Sequence, residues 1–256
     1  MNQQQPRSPA ALVTGGATRV GARFSLFLAE QGYDIALHYH SSEKEALKVA
    51  EQIRSLGRQC EVFKHDFATS SEPGSLIKAV LTVFPRLNLL VNSASVYDAE
   101  PTLSTSLELL ENQFKVNFFT PYLLTQGFAE QVETGNIINI LDNKIEYQQY
   151  HYSAYLLSKK TLAEFTKMAA MEFAPRIRVN GIAPGVILPA DVRTDDYIEW
   201  RKEGIPMKTQ GSVDHLCQAM GYLLANDFVV GQILFVDGGE GLNHIGRNSE
   251  TYSSDH

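Results

Sequence analysis

Seven short apolar runs recur along the chain, each separated from the next by residues with helical periodicity. The runs are AALVTG (10–15), DIALHYH (34–40), QCEVFKHD (59–66), LNLLVNSAS (87–95), GNIINIL (135–141), RIRVNGIAPG (176–185) and GQILFVDGG (231–239). Helical patterns fall at about 20–31, 43–57, 72–84, 106–132, 153–173 and 212–225. Connections of that length let successive strands run parallel and cover the sheet with helices on both faces. The alternation predicts an α/β fold: one Rossmann-type, doubly wound domain with a seven-stranded parallel sheet over residues 1–256, and flexible ends at 1–8 and 244–256. Residues 186–211 break the beat, with Pro189, Gly204, Pro206, Gly211 and a mixed-charge helical piece around Asp191–Glu203. An excursion after a late strand lies near the crevice at the strands' carboxyl ends. The segment is therefore expected to act as a substrate loop, with an ordinary surface loop as the alternative.

Charge and cysteine count narrow the class of partner. With 22 Lys+Arg against 29 Asp+Glu the net charge is −7, which argues against a nucleic-acid or anionic-membrane partner, since both need a basic face. Two cysteines, Cys60 and Cys217, are too few for a disulfide scaffold or a cysteine-rich zinc module. The seven histidines are not paired with Asp, Glu or Cys at ligand spacing, so no metal is expected. The opening MNQQQPRSPA lacks an apolar targeting core, and no apolar run reaches the ~18 residues of a membrane span. These features predict a cytoplasmic protein acting on a small molecule.

The turn Thr14-Gly15-Gly16-Ala17-Thr18-Arg19-Val20-Gly21 lies between the first strand and the first helix. Backbone amides at such a helix start favour phosphate, and glycine permits close approach, so Gly15, Arg19, Val20 and Gly21 are cofactor candidates. The second strand ends in His40-Ser41-Ser42 with no acid before Glu43. A carboxylate there would bind a free ribose 2′-hydroxyl, whereas hydroxyls and the Arg19 guanidinium suit a 2′-phosphate, which selects NADPH. Asp66 and Phe67, after the third strand, are assigned to the adenine end.

Tyr155 and Lys159 stand four apart on one helix face. A nearby ammonium favours phenolate, so the phenol is expected to titrate below its ordinary value and to exchange a proton with substrate. Asp142 after the fifth strand, Asn92 at the end of the fourth, and Asn117 in an apolar helical stretch all fall at the same sheet edge. Structural alternatives exist for two of them: Asp142 can cap the next segment, and Asn117 can mark a helix kink.

Taken in order, the glycine turn, Asn92-Ser93-Ala94-Ser95, Asn117, Tyr155-x-x-x-Lys159, Pro184-Gly185 and Val236-Asp237-Gly238-Gly239 resemble the short-chain dehydrogenase/reductase family over roughly residues 10–240. The resemblance implies that Tyr155 protonates the substrate, Lys159 holds the nicotinamide ribose and Asn117 supports a relay water. It implies cofactor contacts from Asn92, Ser93, Ala94, Ser95, Pro184 and Gly185. It also implies a homotetramer packed through 106–132 and 153–173. Three departures are informative: Arg19 replaces a glycine, Asp142 replaces the usual serine, and Ser93 and Ser95 replace the second Asn and the glycine of Asn-Asn-Ala-Gly. The first two resemble the pteridine reductase branch, which includes the dihydromonapterin reductases. That branch often has a basic residue where Ser41 stands, and it carries an aromatic stacked on the pterin where Tyr97 stands. Asp142 suits a substrate presenting N–H donors better than a ketone, whose developing alkoxide it would repel. The expected activity is NADPH-dependent reduction of a pterin-like substrate. The alternatives are a carbonyl reductase, such as a 3-oxoacyl-thioester reductase, and a non-catalytic NADP-binding sensor.

Overall fold

The computed structural model describes residues 8–188 and 194–242. The expected flexible ends thus lie outside the described residues apart from Ser8, whose hydroxyl accepts a hydrogen bond from Arg58 at 2.8 Å. The expectations for Pro189 and Asp191 lie outside them too. Elements follow in the order β1 (Ala10–Val13), α1 (Arg19–Glu30), β2 (Asp34–Tyr39), α2 (Glu43–Ser55), β3 (Cys60–Lys64), α3 (Ser75–Val83), β4 (Leu87–Asn92) and α4 (Leu107–Phe114). The second half continues with α5 (Thr120–Gln131), β5 (Gly135–Ile140), α6 (Ser153–Phe173), β6 (Ile177–Pro184), α7 (Asp195–Gly204), α8 (Val213–Ala225) and β7 (Ile233–Val236). The strands form one seven-stranded sheet in the order β3-β2-β1-β4-β5-β6-β7, with every pairing parallel. The predicted Rossmann-type sheet is present.

Side chains alternate across this sheet and are buried on both sides, because each face is covered. On one side Ala11, Val13, Ile35, Leu37 and Val91 pack under α1, α2 and α8 through Phe24, Leu28, Ile53 and Met220. On the other, Leu12, Ala36, Leu90 and Ile137 meet Ile77, Val80, Leu124 and Phe128 of α3 and α5. The chain reverses its winding between β1 and β4. Their carboxyl ends therefore open a crevice that no crossover helix closes.

One expected element differs. The stretch 106–132 is two α-helices joined by a π-helical turn, Lys115–Phe119, with Asn117 at its centre and fully buried. The extra residue per turn lets the Asn117 side chain bond outward to a neighbouring loop while the helix axis continues.

Candidate active site

The glycine turn is shaped by an unusually close contact. A Cβ on Gly21 would sit 2.1 Å from the carbonyl oxygen of Gly15, so no side chain fits there. Gly15 itself has φ +63° and lies against Ala94. Arg19, at φ 51°, holds the left-handed conformation that glycine adopts freely. The replacement noted in the sequence therefore keeps the backbone geometry while adding a guanidinium, at a cost of roughly 1–2 kcal/mol.

Beneath the turn lies His38, buried at the end of β2. Its Nδ1 accepts from the Gly15 N–H at 3.0 Å, and its Nε2 lies 3.0 Å from the His65 carbonyl. That carbonyl can only accept, so Nε2 carries the proton. Phe67 stacks on the ring at 4.3 Å. Burial holds His38 neutral, with a pKa lowered to about 4. Its role in shaping the turn was not read from the sequence; a histidine inside an otherwise apolar strand was the signal available.

Two cavities meet at Gly15, Thr18, Ala94 and Ser95. One, of about 420 Å³, is walled by His40, Ser41, Ser42, Asp66 and Phe67. The other, of about 500 Å³, holds Arg19, Val20, Gly21, Asp142, Tyr155 and Gly185. A turn with no room for a Cβ at Gly21, set between two joined cavities of which one is rich in hydroxyls and imidazole, fits an elongated dinucleotide. Ser93 and Tyr97 line the second cavity. Arg19 also lies there, with its Nη2 donating to the Leu188 carbonyl at 2.8 Å. Its expected place beside a 2′-phosphate is thus corrected, because the cavity at the end of β2 does not include it.

Asp142 and Tyr155 form a hydrogen-bonded pair in the wall of the second cavity. The Tyr155 hydroxyl donates to Asp142 Oδ2 at 2.9 Å, while Oδ1 accepts from the Lys144 N–H at 2.9 Å. Asp142 thus caps the short 3-10 turn Asn143–Glu146 with one oxygen and orients the phenol with the other. Burial, then the neighbouring Asp142 charge and hydrogen bond, push Tyr155 well above the usual phenol range. The expected fall does not occur, because the phenol is buried and Asp142 rather than Lys159 meets its hydroxyl. Lys159 is buried, donates to the Ile140 carbonyl at 2.9 Å, and is pushed down to about 8 by desolvation. Tyr97 stacks face to face on Tyr152 at 4.6 Å and meets Tyr155 edge-on at 4.6 Å.

Three expected site residues stand behind the walls. Asn117 Oδ1 accepts from Val96 N–H at 2.9 Å and from the Ser95 hydroxyl at 3.0 Å. Its Nδ2 faces the Val96 carbonyl, Gln113 Oε1 and Ser158 Oγ at 3.0–3.2 Å. With both ends of its side chain engaged, Asn117 fastens the loop after β4. Asn92 is buried and donates to Asn139 Oδ1 at 2.8 Å, tying β4 to β5 instead of facing a cavity. Pro184 ends β6, and its neighbour Gly185 reaches the wall in its place.

Other residues on this wall carried no sequence signal. Tyr197, Ile198 and Arg201 of α7 line the second cavity, so the segment 186–211 contributes directly to it. Arg201 forms a buried ion pair with Glu240, and Asn143 Nδ2 donates to the other Glu240 oxygen at 2.9 Å. Lys144 places its ammonium 5.4 Å from the Tyr152 ring centre, and burial lowers its pKa against the pull of Asp142.

Comparison with known proteins agrees with this geometry. The family model for short chain dehydrogenase matches residues 9–198. An uncharacterised oxidoreductase of Mycobacterium tuberculosis is 32% identical over 90% of each chain. A 3-oxoacyl-[acyl-carrier-protein] reductase of Staphylococcus epidermidis is 28% identical over 90% of this chain and 98% of its own. The crystal structure of FolM alternative dihydrofolate reductase 1 from Brucella suis in complex with NADP superposes with a TM-score of 0.88 at 28% identity, covering 94% of this chain and 98% of that one. Sheet order, glycine cradle and the Tyr155–Lys159 helix, together with these matches, establish that the chain belongs to the short-chain dehydrogenase/reductase family of oxidoreductases.

Proposed function

We propose that this oxidoreductase uses NADPH to reduce a dihydropterin- or dihydrofolate-type substrate within a single domain. The observation that carries the reading is the 2.9 Å hydrogen bond from Tyr155 to Asp142, at the position where the family usually has serine. A carboxylate accepts from the amino and ring N–H groups of a pterin edge, whereas it repels the alkoxide that forms from a ketone. Burial, and then the Asp142 charge, keep Tyr155 protonated, so the phenol is a loaded donor for a ring nitrogen when a C=N bond is reduced. NADPH supplies the hydride when bound. Gly15, Gly21, Ser93, Ala94, Ser95 and Gly185 would hold it closely, with His40, Ser41, Ser42, Asp66 and Phe67 at the adenosine end. Lys159 would serve the nicotinamide ribose, and Tyr97 offers an aromatic ring beside the reacting pair. The NADP-bound FolM structure supports the assignment through its agreement over 94% of the chain.

The test is NADPH oxidation by purified protein across dihydropterins, quinonoid dihydropterin, dihydrofolate and acetoacetyl thioesters. Turnover of a reduced pterin or folate is expected. Turnover of the thioester alone would instead establish the carbonyl reductase reading, which the relation to the 3-oxoacyl reductase favours. NADPH binding without any turnover would establish the sensor reading.

The exposed apolar residues Phe119, Tyr122, Leu157, Met168 and Met171 on and beside α5 and α6 support a homotetramer built through these helices. Both cysteines are buried free thiols, which supports a cytoplasmic setting. Among the described residues no helix is long and apolar enough to cross a membrane.

A further inference from the structure

The cavity at the end of β2 has an unusual charge inventory. Its wall carries the imidazoles of His38 and His40, the Asp66 carboxylate and neutral polar groups such as Ser41, Ser42 and Asn112, and neither a lysine nor an arginine lines it among the described residues. Arg19 lies in the other cavity. His40 is more than half exposed, and its Nε2 sits 3.6 Å from Asp66 Oδ2. The two other imidazoles nearby, His38 beneath the turn and His65 after β3, are both driven toward the neutral form by burial. Glu43, in the first turn of α2, lies 3.3 Å from the Tyr39 hydroxyl. Glu43, Lys44 and Lys64 all stand outside the cavity wall. The two side chains of the wall that can carry a charge beside a 2′-phosphate are therefore His40 and Asp66. With imidazolium present, Asp66 is neutralised and a dianion is attracted. With neutral imidazole, the carboxylate faces the dianion uncompensated.

We propose that His40 acts as a titrating selector of the cofactor, so that the preference for NADPH over NADH falls as pH rises. The inference rests on NADPH being the cofactor. An imidazole exchanges its charge between about pH 5 and 8. A dianion bound beside it favours the charged form, so binding takes up a proton. The gain in affinity is present at the acid end of that range and is lost toward its alkaline end. A phosphate monoester gains its own second proton near pH 6, so the effect is read above about pH 6.5. NADH, with a neutral 2′-hydroxyl, lacks this linkage.

The test is fluorescence titration of NADPH and NADH at constant ionic strength from about pH 6.5 to about pH 8.5 on the intact protein. It is joined at about pH 7.5 by calorimetry in two buffers of different ionisation enthalpy. One linked proton changes Kd by at most about tenfold per pH unit. The Kd for NADPH should rise about tenfold across the range, and that for NADH should stay within about twofold. Calorimetry should register proton uptake with NADPH alone. His40→Arg should bind NADPH tightly with no pH slope, and His40→Gln weakly with no slope. A slope that persists in His40→Gln, or a flat NADPH profile in the unaltered protein, overturns the proposal. If His40→Gln does not fold, His40→Arg and the buffer-dependent heat still decide. Failure to bind NADPH at any pH would refute the cofactor assignment instead, which is a distinct outcome.

Discussion

Replacing Asp142 with asparagine separates the two tasks of this residue. In the native protein Oδ1 caps the turn through Lys144 N–H and Oδ2 takes the Tyr155 proton, each at 2.9 Å. The amide oxygen of asparagine can keep the cap, so the loss of folding stability should stay near 1 kcal/mol, the typical scale of a helix cap. The bond to Tyr155 changes more. A hydrogen bond to a charged acceptor contributes about 1.5–3 kcal/mol and a neutral one about 0.5–1.5 kcal/mol. The negative charge that raises the phenol is removed as well. Tyr155 should therefore titrate at lower pH, a shift visible in tyrosinate absorbance. A positioned proton donor is worth about 10²–10⁴ in rate, or about 3–5 kcal/mol at 1.36 kcal/mol per tenfold. Dihydropterin kcat should fall by that range, with Tm nearly unchanged. If Asp142→Asn keeps kcat within about threefold, or if the phenol titration does not move, the role assigned to the pair is wrong.

Three other predictions follow from the cradle. Gly21→Ala forces a methyl to within 2.1 Å of the Gly15 carbonyl. It should cost about 1–3 kcal/mol in urea unfolding and weaken NADPH binding, and retained affinity would refute the tight-cradle argument. Arg19→Gly relieves about 1–2 kcal/mol of backbone strain but frees the unfolded chain by about 0.4–1 kcal/mol. Stability should thus change by less than about 1 kcal/mol, while substrate KM rises through loss of the bond to Leu188. His38, lowered to about 4, must become charged on acid unfolding. Stability should decline as pH falls from about 6.5 toward 4, by about 3 kcal/mol at 1.36 kcal/mol per unit. His38→Asn should flatten that part of the stability–pH curve.

Much of this was legible from residue order. Parallel strands buried on both faces must be apolar throughout, so β1 to β7 declare themselves as runs, and the helices between them by period. The glycine turn was equally plain, since no side chain can occupy Gly21. Asp142 and Tyr155 could be named because each closes or opens an element at the same sheet edge. The π-turn at Asn117 was not legible: one residue of excess in a helix leaves no periodic trace over so short a span. Nor were Arg201 and Glu240, whose pairing joins elements 39 positions apart, or the contact of Arg19 with Leu188 at a separation of 169.

The division has a physical origin. Local patterning records which side chains must leave water, and by itself the order of residues determined the sheet, its winding, the dinucleotide cradle and the Tyr155–Lys159 helix. Charge states depend on distance and burial, which are summed over neighbours brought together only by folding. The tertiary structure alone therefore decided that Asp142 meets the phenol while Lys159 reaches the Ile140 carbonyl, that Asn117 fastens the loop after β4, and that Arg19 faces the cavity away from the end of β2.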